Sequence, residues 1–460
     1  MESMISTQVR CFWAATISFL AASTFGDAAA SSIVVLQVEA TESSTSSYAP
    51  VNFAGASTVT SGGVVYHAWS STADTHSYHA EGVRNRLLSA SGTAVSDIYC
   101  EYAGDFVGDV YNYNANTVTK LKNAGVRVVN NSWVYSWGSS TDTPLRQKLD
   151  SLIQNADVVM VNGAVSDSSA ITPVVWYAYN GIAVRGTQGF DASSTTTSGK
   201  SHADLWGPEQ SGADEGASFE TPGVAGSAAA LIQKAKDLYS STSTSGQNHL
   251  VVKSLLMTGA STTDTSTNGF TSWTRDTANN LDTDAGAGRV EYATSKYILE
   301  AGEKAMAAVS SSRITSPTVS TTTAGFTLDA GISNNSKEAL VFYSASAFDN
   351  LTSTLCWDVT TSASSINLDL VLYSVTYSGG GYTLGSAVGL VGTSSTVTDD
   401  NVEHLYCTDT IAAGYYALVV TGTGASSSAY GLSYVYTAVP EPAALALLGF
   451  GALALLRRRR

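Results

Sequence analysis

One stretch of the chain is especially informative: Gly216-Ala217-Ser218-Phe219-Glu220-Thr221-Pro222-Gly223-Val224-Ala225-Gly226. It presents a single serine in a turn of small residues. The alanine- and leucine-rich run from Val224 to about Leu238 predicts a helix. Ser218 is therefore expected at a helix N-terminus, where unpaired backbone N–H groups and the positive end of the dipole stabilise negative charge. Such a serine can be a nucleophile whose reaction passes through an oxyanion, or an N-cap with Pro222 in the first turn.

The composition is that of a secreted protein rich in strands and loops. Of the 460 residues, 44% are hydrophobic and only 13% are charged, which is enough apolar sequence for two domain cores. The formal net charge is −15. Phosphate binding needs clustered Lys and Arg side chains, so nucleic-acid binding is not expected. No Cys/His spacing typical of a metal site occurs, and we expect a monomer without a cofactor.

Both ends of the chain are predicted to be targeting segments. Residues 1–30 combine a basic residue, an apolar run and Ala28-Ala29-Ala30, the pattern of a cleaved signal peptide. At the other end, Pro440-Glu441-Pro442 precedes an apolar segment over 443–456, predicted as a short transmembrane helix, and a tail of arginines. Residues 438–460 resemble the PEP-CTERM sorting signal of Gram-negative bacteria. The resemblance implies processing by an exosortase-type enzyme during export to the cell surface; a plain tail anchor is the alternative.

Residues 31–309 are predicted to form an α/β domain, because short β-branched runs alternate with helical stretches. The predicted strands are Ile33–Val38, Val126–Asn130, Val158–Val161 and Ile182–Arg185, and the predicted helices cover 79–89, 117–124, 145–155, 218–238 and 249–257. Alternation of this kind predicts a parallel sheet with helices on both faces. In such sheets the functional residues lie at the carboxyl ends of the strands.

The C-terminal third follows a different pattern. Residues 310–323 are rich in Ser and Thr, which indicates a linker. Over 324–437, strands are separated by Gly- and Ser-rich turns, which predicts an all-β sandwich or jelly roll. Cys356 and Cys407 fall in this region and are expected to form a disulfide in an oxidising compartment. The acids that could supply oxygens to a structural Ca²⁺, or simply lie solvated in turns, are Asp369, Asp400 and Glu403.

Polar side chains capable of nucleophilic catalysis stand at the ends of the predicted elements. His79 begins one helix, Ser218 begins another, and Asn162 ends the strand Val158–Val161. An imidazole, a hydroxyl and an amide that meet at one edge of a sheet can act as base, nucleophile and oxyanion donor. A satisfied core histidine and a turn asparagine are the ordinary alternatives.

The motifs and their order resemble those of subtilisin-like serine peptidases (subtilases). Residues 216–226 are similar to the family's Gly-Thr-Ser-x-Ala-x-Pro motif with its following Val-Ala-Gly, with Ala217 in place of Thr and Glu220 in place of Ala. Residues 79–85 match the family's histidine motif more loosely. Further similar segments are Asn130–Trp133, Asp204–Pro208 and Gly286–Val290. The resemblance implies that Ser218 is the nucleophile, His79 the base and Asn162 the oxyanion donor.

The acid departs from the family's pattern. Subtilases end their first strand with Asp-Ser/Thr-Gly, whereas this chain has Leu36-Gln37-Val38-Glu39-Ala40. Glu39 falls where the strand places that carboxylate, and it is preferred because the neutral amide of Gln37 could not stabilise an imidazolium. His76 competes with His79, which is preferred because a small residue follows it.

The resemblance implies a secreted serine endopeptidase that cleaves a protein or peptide substrate through an acyl-enzyme. The alternative is a weak or inactive protein of the same fold that serves as a surface binding or structural module. The glutamate at the acid position and Glu220 in the serine motif favour this alternative. So does the expectation that the strand at Ile33 begins too soon after Ala30 to leave room for an inhibitory prosegment.

Overall fold

The computed structural model describes 15 segments of the chain: residues 32–41, 47–69, 76–133, 139–163, 175, 178–186, 203–207, 217–239, 243–263, 273–276, 279–282, 285–359, 366–395, 400–424 and 427–439. The predicted signal peptide and the predicted transmembrane helix over 443–456 lie outside these residues. Within them, no helix has the length and apolar composition that a membrane span requires.

An eight-stranded sheet forms the first part of the structure. Its strands are β1 (Ile33–Glu39), β2 (Thr58–Ser61), β3 (Val64–Ala68), β4 (Val95–Tyr102), β5 (Val126–Asn131), β6 (Val159–Gly163), β7 (Ile182–Arg185) and β8 (Leu205–Trp206). They lie in the order β2-β3-β4-β1-β5-β6-β7-β8. Only the β2–β3 pair at one edge is antiparallel; the other pairs are parallel. The predicted parallel sheet is confirmed.

Helices cover both faces of this sheet. They are α1 (Tyr78–Ser91), α2 (Ala103–Ala124), α3 (Ser139–Ala156), α4 (Ala217–Tyr239), α5 (His249–Thr258) and α6 (Tyr292–Glu300). Side chains of β1 alternate between the two cores because successive residues of a strand point to opposite faces. Val35 packs in one core with Leu87 of α1 and Val224 of α4. Val38 packs in the other with apolar residues of α2 and α3.

The described residues of the C-terminal region form strands: β9 (Ala307–Ser310), β10 (Arg313–Ile314), β11 (Ala324–Ile332), β12 (Lys337–Ser344), β13 (Phe348–Trp357), β14 (Asn367–Ser378), β15 (Gly381–Ala387), β16 (Ser394–Ser395), β17 (Val402–Cys407), β18 (Gly414–Thr423) and β19 (Ser428–Ala438). The segment 310–323, predicted as a linker, includes β10. Two antiparallel sheets have the orders β15-β10-β9-β12-β18-β14-β16 and β11-β19-β13-β17, and β14 also pairs with β15. Phe342 and Leu418 of the first sheet share one core with Trp357 and Leu432 of the second.

The disulfide predicted between Cys356 and Cys407 is wrong. The two cysteines lie on the paired strands β13 and β17, but the register sets Cys356 opposite Val402 and Cys407 opposite Leu351. The five-residue offset along β13 corresponds to about 17 Å at about 3.4 Å per residue. A disulfide needs Cα atoms within about 7 Å. Neither cysteine takes part in a disulfide, and both are buried.

Candidate active site

The predicted site residues lie along the carboxyl edge of the eight-stranded sheet. Strand β1 has β4 on one side and β5 on the other, so the chain leaves β1 in one direction and later returns to build the sheet in the other. In open α/β sheets a crevice forms outside the strand ends at such a switch point. Glu39 is the last residue of β1, and Asn131 and Asn162 stand side by side at the ends of β5 and β6.

The central contact joins His79 to Glu39. His79 is the second residue of α1, where the hydroxyl of the N-cap Ser77 accepts a hydrogen bond from the backbone N–H of Ala80 at 3.0 Å. Nδ1 of His79 lies 3.0 Å from Oε2 of Glu39. The carboxylate side chain is 1% exposed and the imidazole 31% exposed. Because Nδ1 binds the carboxylate, Nε2 is the ring nitrogen left to take a proton from another group.

The two residues that competed for these roles are placed elsewhere. Nε2 of His76 lies 2.8 Å from Oε2 of Glu81, in a surface pair, and this hydrogen bond holds the pKa of the Glu81 carboxyl below its ordinary value. The amide nitrogen of Gln37 donates to Glu39 Oε1 at 3.3 Å and to a backbone carbonyl of α1 at 2.8 Å. The structure thus pairs Glu39 with His79, the combination preferred from the sequence.

Ser218 lies in the first turn of α4 and is partly exposed. The next residue, Phe219, connects this turn to α1. A Cβ atom on Gly82 would lie 2.7 Å from the Phe219 ring, so only glycine leaves room for the ring there. The Phe219 ring centroid is 5.1 Å from that of His79. The turn that carries Ser218 therefore packs directly against the helix that carries His79. Neither Gly82 nor Phe219 was singled out from the sequence, although a glycine in the first turns of a helix is a signal of close packing.

Asn162 is fully buried and is hydrogen-bonded to Val175 and Asn131. Its Nδ2 donates to the backbone carbonyl of Val175 at 2.8 Å, and its Oδ1 accepts from Nδ2 of Asn131 at 2.8 Å. The end of β6 lies against the start of α4. The approach is so close that a Cβ on Gly163 would be 2.9 Å from Oγ1 of Thr221. Asn162 is thus near the turn that carries Ser218, and part of its hydrogen-bonding capacity is used within the protein.

Two of the other motif segments pack on each other beside β8. The backbone N–H of Trp206 donates to the carbonyl of Gly288 at 2.9 Å, and that of Val290 donates to the carbonyl of Trp206 at 3.0 Å. Gly286 has φ of +59°, and a Cβ there would lie 2.3 Å from the carbonyl oxygen of Asp204. The glycine is required by both the backbone conformation and the close approach. These motif residues support the fold of the site rather than its chemistry.

Cys100 lies on β4 opposite Gln37, close to the acid. Burial, followed by the negative charges of Glu39 and Glu101, raises the pKa of the Cys100 thiol far above its ordinary value. A protonated, buried thiol is not nucleophilic. Cys100 is therefore not an alternative nucleophile to Ser218.

The described residues contain no group of three His, Cys, Asp or Glu side chains arranged to hold a metal ion. Of the acids considered for calcium, Asp369 accepts a hydrogen bond from Nδ2 of Asn367 at 3.1 Å, and burial raises the pKa of its carboxyl. Glu403 is fully buried in β17.

Comparison with protein families is informative about the C-terminus. A family model described as a PEP-CTERM protein-sorting motif matches residues 438–460. The chain carries a PEP-CTERM sorting motif. This confirms the prediction made from the Pro-Glu-Pro segment and its surroundings, and it indicates export with recognition by an exosortase and sorting to the cell surface of a Gram-negative bacterium. A search of the curated proteins found no match.

Among solved structures, the chain is similar to two maturation proteases. The patellamide maturation protease PatA is 19% identical with a TM-score of 0.37, and the match covers 58% of this chain and 97% of that chain. The prenylagaramide maturation protease PagA is 15% identical with a TM-score of 0.36, and the match covers 58% of this chain and 92% of that chain.

Proposed function

We propose that this chain is a divergent subtilisin-like serine endopeptidase, exported from the cell and active on protein or peptide substrates as a monomer. The observation that carries the proposal is the 3.0 Å hydrogen bond between Nδ1 of His79 and Oε2 of Glu39 at the switch point of the sheet. The helix that begins beside it presents Ser218. The order acid, histidine, serine along the chain is the subtilisin order, and the motif resemblance supports the same assignment.

The proposed reaction follows from the position of the imidazole. Ser218 Oγ attacks the peptide carbonyl while Nε2 of His79 takes the hydroxyl proton. The tetrahedral intermediate collapses, the peptide C–N bond breaks, and His79 returns the proton to the leaving amine. Water then hydrolyses the acyl-enzyme by the same proton transfers in reverse. Glu39 fixes the imidazole through Nδ1 and stabilises the imidazolium that forms in both halves of the reaction.

The oxyanion is proposed to be held by the first backbone N–H groups of α4 together with Asn162. The first four N–H groups of a helix have no partner within the helix, and the helix dipole adds to their attraction for an anion. An amide nitrogen carries two N–H bonds. One of those on Asn162 donates to Val175, so the proposed role uses the other.

We infer that the C-terminal strands form a β-sandwich that supports the peptidase domain. The inference is supported by the core that both antiparallel sheets share. It is also supported by contacts of the four-stranded sheet with α5, where Oγ1 of Thr258 lies 2.9 Å from Oγ1 of Thr354 and a Cβ on Gly431 would be 2.7 Å from the Leu250 backbone.

A second candidate function is that of a surface module with little or no activity. The hydrogen bond from Asn162 to Val175 favours it, because it uses one of the two N–H bonds that the amide could offer to an oxyanion. Glu220 favours it as well: this buried acid occupies the place of a small residue in the serine motif and packs so tightly that a Cβ on Gly207 would lie 2.3 Å from its own Cβ.

Digestion of casein and of a peptide library by the purified mature protein separates the two candidates. Peptide-bond cleavage that is abolished in Ser218→Ala and His79→Ala supports the peptidase. Ser227→Ala is the matched control, since Ser227 lies on the same helix and its hydroxyl donates to the carbonyl of Gly223 at 2.9 Å. Absence of cleavage by the folded wild type across the whole library would favour the inactive module.

A further inference from the structure

The side chain of Gln37 lies between β1 and α1 and is hydrogen-bonded to both. Residues two apart on a strand point to the same face, so Gln37 lies beside Glu39, and both are 1% exposed. The Nε2 atom of Gln37 donates to Oε1 of Glu39 at 3.3 Å and to the backbone carbonyl of Ala80 at 2.8 Å. One amide nitrogen thus contacts both the acid and the residue that follows His79.

The carboxylate of Glu39 is held from both sides. Oε2 accepts from His79 at 3.0 Å, while Oε1, the other oxygen, accepts from Gln37. Both neighbours of Nε2 are acceptors, so the nitrogen rather than the oxygen of the amide must face them. The amide oxygen of Gln37 is buried and has no hydrogen-bond partner among the described residues. The protein therefore keeps an unsatisfied buried acceptor in order to direct this nitrogen at Glu39 and Ala80.

We propose that Gln37 is a positioning residue that fixes the Glu39 carboxylate against His79. The proposal rests on the peptidase function argued above and adds the group that lets a glutamate serve at the acid position. A glutamate has one more rotatable bond than an aspartate, so its carboxylate needs an additional contact to stay in one orientation. Gln37 supplies this contact through Oε1. Through Ala80 it also holds the first turn of α1, so one amide sets the positions of both partners.

A purely structural role for Gln37 makes a different prediction. If the amide only fastens α1 to β1, its loss lowers the melting temperature but leaves the hydrogen bond between Nδ1 of His79 and Glu39 unchanged. If it positions the acid, that hydrogen bond weakens even in a protein that remains folded. The readout must therefore report on the Nδ1 proton itself, independently of activity.

The test uses ¹H–¹⁵N NMR of the full mature chain with ¹⁵N-labelled histidine. The Nδ1–H resonance is assigned by its loss in His79→Ala and followed in Gln37→Met, which keeps the volume and removes the donor. Asn130→Ala is the matched control, because Asn130 is a buried amide opposite Gln37 in the strand register and its Nδ2 donates to Oγ of Ser132 at 2.9 Å. The rate of fluorophosphonate labelling is measured on the same samples.

In Gln37→Met, we expect the resonance to move upfield or to vanish through exchange with water, and labelling to slow by about tenfold to 10²-fold. Asn130→Ala should keep the wild-type resonance. A wild-type resonance in folded Gln37→Met would overturn the proposal. Should that variant fail to fold, Gln37→Asn keeps the buried amide but withdraws it by one methylene, and the same comparison decides. A wild type that shows the resonance but never labels would refute the peptidase function instead, and the NMR comparison would still decide the role of Gln37.

Discussion

Replacing Glu39 by glutamine removes the charge that faces the imidazolium while keeping the length of the side chain. At the observed 3.0 Å separation and an effective dielectric constant of about 20, two unit charges attract each other by about 5.5 kcal/mol. The imidazolium exists only once His79 has taken the serine proton, so this energy stabilises the transition state and not the resting enzyme. A loss of about 5.5 kcal/mol corresponds to about a 10⁴-fold fall in rate.

The assay is the second-order rate constant of casein-derived fluorogenic peptide hydrolysis by the purified mature chain, with the urea denaturation midpoint measured on the same samples. We expect kcat to carry the loss and KM to change little, because Glu39 is buried away from the substrate. Glu81→Gln is the matched control, since it breaks another His–Glu pair of 2.8 Å on the surface of the same helix. A folded Glu39→Gln protein with a rate within a few-fold of the wild type would refute the assignment of the acid.

Three further predictions concern stability, packing and thiols. Burial opposes a charged imidazole at His249, but the carboxylates of Asp358 and Asp157, each 2.9 Å away, outweigh it and raise the pKa of His249 to about 9. In the unfolded chain the pKa of this histidine is about 6.5, so the stabilisation is complete below pH 6.5 and is lost as the pH rises through 9. The difference in unfolding free energy between wild type and His249→Gln should therefore shrink by roughly 3 kcal/mol between pH 6 and 10. A difference that does not change with pH would contradict this. Gly82→Ala places a Cβ 2.7 Å from the Phe219 ring, so the ring must shift and its packing against His79 changes; we expect about a 10²-fold fall in kcat with a folded circular-dichroism spectrum, and an unchanged kcat would argue against this packing. Three thiols of the mature chain should react with a thiol reagent in denaturant without reductant, and dithiothreitol should leave the melting temperature unchanged. A single reactive thiol would instead show that Cys356 and Cys407 form a disulfide.

Most of the elements around the site could be predicted from hydrophobic periodicity, because they are buried on defined faces. The predicted bounds of strand Ile182–Arg185 agree with the observed ones. Those predicted for the long helix, 218–238, differ by one residue at each end from the observed Ala217–Tyr239. Strand β4 was not predicted, because its sequence Val95–Tyr102 places Ser, Asp and Glu among apolar residues; Glu101 is buried all the same. The first half of α2 was missed because Gly104 and Gly108 lower its helix propensity.

The pairing of Glu39 with His79 could be anticipated from strand alternation, because a residue at the end of a central strand must face the crevice. The other contacts within the site could not be predicted from the sequence. The hydrogen bond of Asn162 to Val175 joins residues 13 positions apart, and no pattern in the sequence relates the two. The absence of a disulfide between Cys356 and Cys407 follows from the strand register, which composition does not reveal.

Reaction of the folded mature protein with a fluorophosphonate, followed by peptide mass spectrometry, tests whether Ser218 is an activated nucleophile. We expect one adduct, on Ser218, that is absent in Ser218→Ala and His79→Ala and present in Ser227→Ala. A folded wild-type protein that carries no adduct on Ser218 after prolonged exposure would contradict it.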